Sequence, residues 1–179
     1  MKIDLKIAVS GKSGCGNTTI SKMIANALNL KFINFTFRSL AEERGVDLKT
    51  IIELAAKDDS IDKEVDARQV QLADESKGCV LASRLAIWML KDADLKVYLS
   101  AAAQTRAERI FKREGGNFEE VAAFTAARDK KDCGRYQRIY GIDFDDYSFA
   151  DLIIDTDNLS PQEIADIIIG KIVEKFSEI

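Results

Sequence analysis

Residues 5–10 (Leu-Lys-Ile-Ala-Val-Ser) form a short, mostly apolar run that ends on a glycine cluster, the pattern of a parallel strand buried on both faces. Behind the glycines the period changes. Ile20, Met23, Ile24, Ala27 and Leu28 recur at helical spacing and predict a helix over 18–28. Residues 31–35 suit a second strand. Residues 38–76 are helical and charge-rich, with breaks near Gly45 and at Asp58-Asp59-Ser60, where the second break supplies capping residues. Further strands are expected at 79–82, 95–99 and 152–154, and helices at 103–114 and 119–140 on either side of Gly115-Gly116. Ser160-Pro161-Gln162-Glu163 reads as the capping-box start of a last helix, with proline at its first position. Strands alternating with helices predict a doubly wound parallel α/β sheet in three layers, five strands between helices. Repeats, low-complexity stretches and flexible linkers do not interrupt it, so residues 1–179 are expected to form a single domain.

Composition narrows the chemistry. The 179 residues carry 26 Lys+Arg against 30 Asp+Glu, a net charge of −4, so there is no basic excess of the kind that non-specific nucleic-acid binding needs. The chain contains no histidine, which removes Ser-His and Cys-His catalysis and histidine metal ligation together. Cys15, Cys79 and Cys133 are far apart and form no Cys-x-x-Cys pair, so neither a zinc ribbon nor a disulfide framework is indicated, and a reduced, cytoplasmic setting is expected. The opening residues run straight into a strand pattern, unlike a secretory leader. No apolar run approaches the ~18 residues that cross a bilayer, so no membrane association is expected. A monomer is the expected form.

The glycine cluster reads Gly11-Lys12-Ser13-Gly14-Cys15-Gly16-Asn17-Thr18-Thr19. It follows the phosphate-loop spacing, with glycines at Gly11 and Gly16 and a hydroxyl at Thr18, between a strand and a helix. In such a loop, residues 11 and 13–19 turn successive N–H groups toward phosphate oxygens at a helix N-terminus, and Thr18 offers its hydroxyl to Mg²⁺. The lysine of the pattern is replaced by Asn17. Lys12 is the obvious substitute, a placement similar to the second lysine that some phosphate-loop ATPases carry just after the first glycine. The plainer alternative is a turn with a solvated Lys12.

Phosphoryl transfer needs positioning and charge neutralisation more than covalent chemistry. Arg128, Asp132 and Arg135 stand at i, i+4 and i+7 on one helical face. They read either as a phosphate clamp, with Asp132 orienting the guanidinium groups, or as a salt-bridged solvent face. Arg106, Arg109 and Arg113 form a similar stripe upstream, either a solvated face or the base of a lid. Trp88 and Met89 read as core.

Four segments carry a specific resemblance. Ile61-Asp62-Lys63-Glu64-Val65-Asp66-Ala67-Arg68-Gln69 resembles the monophosphate-site helix of archaeal-type cytidylate kinases. Phe37-Arg38-Ser39-Leu40-Ala41-Glu42-Glu43-Arg44-Gly45, Arg84-Leu85-Ala86-Ile87-Trp88-Met89 and Arg135-Tyr136-Gln137-Arg138-Ile139-Tyr140-Gly141-Ile142-Asp143 resemble that family too. The likeness runs from about residue 7 to residue 168 in one order. It implies a P-loop NTPase-type kinase fold with a helical nucleoside-monophosphate insert at 37–76 and a lid at 113–135. It further implies that Arg128, Asp132 and Arg135 are the lid set, that Arg38 and Arg84 hold the acceptor phosphate, and that Asp62, Asp66 and Arg68 are candidate contacts to cytosine. The chain departs from the family where an acid would precede Arg84, in Leu81-Ala82-Ser83-Arg84, and at Ile33-Asn34 before the insert.

The expected reaction is transfer of the ATP γ-phosphoryl group to CMP or dCMP with Mg²⁺. Lys12, Arg128, Asp132 and Arg135 would act on the transferring group. The competing expectations are a degenerate kinase that binds nucleotide without turnover, and a kinase for another small acceptor.

Overall fold

The alternating runs fold as their periods require. In a computed structural model that describes residues 4–176, β1 (Lys6–Gly11) is followed by α1 (Asn17–Ala27) and β2 (Lys31–Ile33). Three helices then intervene, α2 (Phe37–Arg44), α3 (Leu48–Ala55) and α4 (Ser60–Asp74), before β3 (Cys79–Ala82), α5 (Ala86–Met89) and β4 (Leu95–Ser100). The chain ends with α6 (Ala103–Glu114), α7 (Phe118–Tyr140), β5 (Leu152–Asp155) and α8 (Pro161–Phe176). The first and last three residues of the expected 1–179 domain lie outside the described residues. The second strand is shorter than expected, stopping at Ile33, and the four-residue helix α5 was not foreseen from the sequence.

The five strands are all parallel, in the order β2-β3-β1-β4-β5. Ile7 lies between Val80 of β3 and Leu95 of β4, so β1 is central and buried on both faces. Its alternate side chains enter different layers. Ile7 and Val9 pack with Val97 and Leu99 against Ile20 and Ile24 of α1 and Ile164, Ile168 and Ile172 of α8. Ala8 faces the other way, with Leu81, Tyr98, Ala73 of α4 and Ile87 of α5. That makes three layers around one sheet, as the doubly wound pattern predicts.

Helix ends are set by local polar chemistry. Thr36 and Ser39 form a capping box at α2, and Asp47 accepts from Thr50 N at the start of α3. Ser160 and Glu163 exchange hydrogen bonds around Pro161, as the sequence pattern predicts. At the second break Asp58 accepts from Ser60 N. Asp59 is engaged by Arg138 of α7 instead. Helices α2 to α4 carry a small core of their own, Phe35, Leu40, Ala41, Ile51, Ile61 and Val65. Leu85, Tyr136 and Phe144 form another beneath α7, where Trp88 and Met89 pack at the edge. Among the described residues no helix is long and apolar enough to cross a membrane.

Candidate active site

Strand order reverses at β1, whose neighbours β3 and β4 lead to opposite sides of the sheet, so a crevice opens at its carboxyl end. The glycine loop fills that position. A Cβ on Gly11 would stand 2.5 Å from Leu99 O, and one on Gly14 would stand 2.7 Å from Arg106 O. Gly14 also has φ +86°, a left-handed conformation that suits glycine. Gly16 adopts φ +94° and caps α1 through its backbone. Thr18 and Thr19 are exposed on the first turn, which carries no acidic residue. The loop amides, the positive potential of the α1 N-terminus and the exposed Thr18 and Thr19 hydroxyls therefore stand together at this strand end, the parts of a phosphate cradle. Cys15 lies buried in it, and desolvation pushes its thiol up to about 11, so it packs as a neutral small group.

Asn17, at the usual lysine position, turns inward. Its Nδ2 donates to Val9 O at 3.0 Å and to Ser83 O at 3.3 Å, and its Oδ1 accepts from Ser21 Oγ at 3.0 Å. The side chain ties the loop to the ends of β1 and β3, leaving its backbone to the cradle. Lys12 Nζ pairs with Asp145 Oδ1 at 2.6 Å. Burial would lower the Lys12 pKa, but the hydrogen bond and charge of Asp145 outweigh it and raise the value, so the ammonium stays charged.

The loop is braced from behind. Arg106, 5% exposed, donates to Ser13 O at 3.0 Å and to Asp129 of α7 at 2.6 Å. Arg109 donates to Thr156 O at 2.5 Å and to Thr156 Oγ1 at 2.9 Å, and reaches Gly14 O at 3.5 Å. Two members of the stripe that the sequence left open are thus supports of the glycine loop, while Arg113 pairs with neighbouring Glu114 at the surface.

On the open side Arg84 donates to Ser13 Oγ at 2.9 Å and pairs with Asp132 Oδ2 at 2.8 Å. Asp132, 6% exposed, also pairs with Arg135 at 3.2 Å, and Arg135 reaches Asp62 of α4 at 3.4 Å. The partners of Asp132 are therefore Arg84 and Arg135, not the expected Arg128 and Arg135, because the sheet end brings Arg84 under α7. This arrangement also sets a carboxylate beside Arg84, where the sequence lacks the acid of β3. Arg128 forms no ion pair among the described residues. Partial desolvation and then the nearby charge of Arg84 lower its pKa, against the charge of Asp132. Arg38 is exposed on α2 and likewise makes no ion pair among the described residues.

The inward face of α4 completes the site. Asp62 is 6% exposed and its pKa is raised, by burial first and against the charge of Arg135. Asp66 accepts from Tyr140 OH at 2.6 Å, and burial pushes its carboxyl up to about 6. Both face α7, through Arg135 and Tyr140, and not solvent. Arg68 is held elsewhere, by Glu43 of α2 at 3.2 Å and Gln71 at 3.0 Å, with its guanidinium over Phe35. Asp62 Oδ2, Gln69 Oε1 and Arg135 Nε are buried and find no hydrogen-bond partner among the described residues. Gln69, Tyr140, Asp129 and Asp145 were not singled out by sequence reasoning, since lone polar residues on helices and loops carry no spacing signal.

Among the described residues no group of three or more acidic or thiol side chains could hold a metal ion. Mg²⁺ does not need such a cage, because it keeps waters and takes substrate phosphate oxygens with one or two protein oxygens. The exposed Thr18 hydroxyl beside an amide-lined cradle fits that donor set.

A central parallel strand, a glycine loop at its carboxyl end and an arginine-bearing helix crossing that loop define a P-loop kinase. The Cytidylate kinase-like family model matches residues 6–158, and the chain belongs to that family. It is 48% identical over 168 residues to cytidylate kinase 2 of Borreliella afzelii, covering 92% of this chain and 94% of that protein. It is 44% identical over 165 residues to cytidylate kinase of Pyrococcus horikoshii, covering 91% and 85%. Among solved structures, shikimate kinase from Acinetobacter baumannii superposes with a TM-score of 0.65 at 17% identity, covering 98% of this chain and 96% of that one. Deoxyadenosine kinase from M. mycoides gives 0.53 at 15%, covering 94% and 99%. These structural likenesses bear on the fold.

Proposed function

We propose that this chain transfers the γ-phosphoryl group of ATP to the phosphate of CMP or dCMP, giving the diphosphate. The observation that carries the reading is the run of contacts by which Arg84 joins Ser13 of the glycine loop to Asp132 of α7, which also holds Arg135, with Arg128 close to Arg84. Membership of the cytidylate kinase-like family supports the acceptor.

The loop amides and the α1 N-terminus would bind the donor phosphates, with Lys12 exchanging its partner Asp145 for a phosphate oxygen. Thr18 would hold Mg²⁺, which supplies charge neutralisation on the donor phosphates. Arg38 and Arg84 would bind the acceptor phosphate. Arg128 and Arg135 would close over the transferring group and exclude water, with Asp132 orienting Arg84 and Arg135. The acceptor oxygen attacks the γ-phosphorus in line as the bond to the leaving diphosphate oxygen breaks. It is already ionised, so no general base is needed, which suits a chain without histidine. Segments 37–76 and 113–135 serve as monophosphate insert and lid.

A coupled assay with ATP, Mg²⁺ and a panel of nucleoside monophosphates and small alcohols tests this. Turnover with CMP and dCMP well above UMP and all other acceptors is expected. Saturable nucleotide binding without turnover would overturn it in favour of a degenerate kinase.

A further inference from the structure

Ser13 of the glycine loop is held twice, and each hold ends on α7. Its hydroxyl accepts from Arg84 Nη2 at 2.9 Å, and Arg84 Nη1 pairs with Asp132 Oδ2 at 2.8 Å. Its carbonyl accepts from Arg106 Nη1 at 3.0 Å, and Arg106 Nη2 pairs with Asp129 Oδ2 at 2.6 Å. Asp129 and Asp132 stand at i and i+3, so both acids lie on one side of α7 about a turn apart. Two arginines from different elements therefore bracket one loop residue and fasten it to a single turn of α7.

The two brackets differ in what they leave over. Arg84 is partly open to the crevice. Arg106 is 5% exposed and has each of its nitrogens engaged, since Nε donates to Ala101 O at 3.3 Å. Its backbone abuts the loop as well, because a Cβ on Gly14 would stand 2.9 Å from the Arg106 Cβ. The Asp129 side chain is 17% exposed, so this ion pair is far better shielded than that of Lys12 with Asp145. A guanidinium engaged in this way holds other groups in place and keeps no arm for a substrate oxygen.

Arg128 precedes Asp129 in the chain and makes no ion pair among the described residues, so its guanidinium has no charged anchor of its own. Its place depends on the helix turn that Asp129 and Asp132 fasten to the loop. A charge displaced by about 1 Å from a transferring group can cost on the order of 100-fold in rate.

We infer that Arg106 and Asp129 are positioning residues for phosphoryl transfer, which fix α7 against Ser13 of the donor loop so that Arg128 stands at a set place over the transferring group. The inference rests on the proposed kinase reaction and names what aligns its lid with its donor site. Spacing does not reveal the pair. Asp129 stands in the charged run Arg128-Asp129-Lys130-Lys131-Asp132, and Arg106 in a stripe that reads equally as a solvated face.

The test is a double-mutant cycle on kcat with ATP, Mg²⁺ and CMP, using wild type, Asp129→Asn, Arg128→Met and the double variant, each confirmed folded by a thermal melt. Asp129→Asn keeps the shape and removes the charge. It should lower kcat about 10- to 100-fold, with little change in KM for ATP or CMP. The double variant should be about as slow as Arg128→Met alone, because residues that act as a unit are not additive. Arg106→Lys keeps the cation but offers one nitrogen to two partners, and it gives the same test from the other side of the pair. It too should lower kcat selectively and lose its effect in the Arg128→Met background. CMP turnover by the wild type with multiplicative losses in both double variants would overturn the inference and leave the kinase reading standing. So would an unchanged kcat in Asp129→Asn and Arg106→Lys, or a loss confined to KM. No turnover of any nucleoside monophosphate by the wild type would instead sink the kinase reading.

Discussion

Lys12 sits one residue past the Gly11 turn, where its ammonium is held at 2.6 Å by Asp145 from the connection after α7. That ion pair is partly exposed and therefore weak, so donor phosphates with several negative charges can compete for the ammonium. Lys12→Ala is expected to lower kcat by on the order of 10² while leaving the fold intact, since removing one preformed donor to a transferring group has effects of that size. Steady-state rates at saturating ATP and CMP would check it, and an unchanged kcat would reduce Lys12 to a surface residue. Asn17 shows how far a motif reaches. The loop pattern locates the residue, but the side chain donates to Val9 O and Ser83 O and is spent on the scaffold.

Helix α4 shows the limit of periodicity at the scale of an element. Its acids are spaced for a surface face, and the same spacing serves a face packed under another helix. Packing of α7 decides the matter, because Arg135 and Tyr140 cover Asp62 and Asp66. The Asp66 carboxyl is raised by burial from the ordinary 3.8 to about 6. Between those values the folded state holds a proton that the unfolded chain has released, so the contribution of Asp66 to stability falls as pH rises through about 4 to 6 and levels off above. Asp66→Asn removes that contribution. Its melting temperature relative to wild type should match below pH 4, climb between pH 4 and 6 and plateau above, where the gain is on the order of 1–3 kcal/mol. Thermal melts across pH 4–7 measure this, and a pH-independent difference would mean that Asp66 titrates as an exposed carboxyl.

For the whole molecule, a net charge of −4 conceals a local gathering of cations where the carboxyl ends of β1 and β3 meet α7. Arg135–Asp62 and Tyr140–Asp66 join α7 to α4, and the proposed lid role requires that seam to close around bound nucleotides. Simultaneous binding of a non-hydrolysable ATP analogue and CMP should draw α7 onto α4 and the glycine loop. Backbone hydrogen exchange in 60–74 and 118–140 is expected to slow more with both ligands than with either alone. Equal protection by ATP analogue alone and by the pair would contradict a lid closing on two substrates.

The sequence by itself determined what short-range chemistry controls. It located the strand period, the glycines at φ-demanding turns, the capping box at Ser160 and Glu163, and the order of elements that builds a parallel sheet. It also carried the family, because the motifs stand in one order along most of the chain. The pairing of Arg84 with Asp132, the bracing of the loop by Arg106 and Arg109, and the burial of Gln69 depend on groups far apart in the chain. Spacing along one helix cannot report them. The crossovers of the parallel sheet bring these residues to one end of it, and only there does the packing of α7 decide which polar groups find a partner.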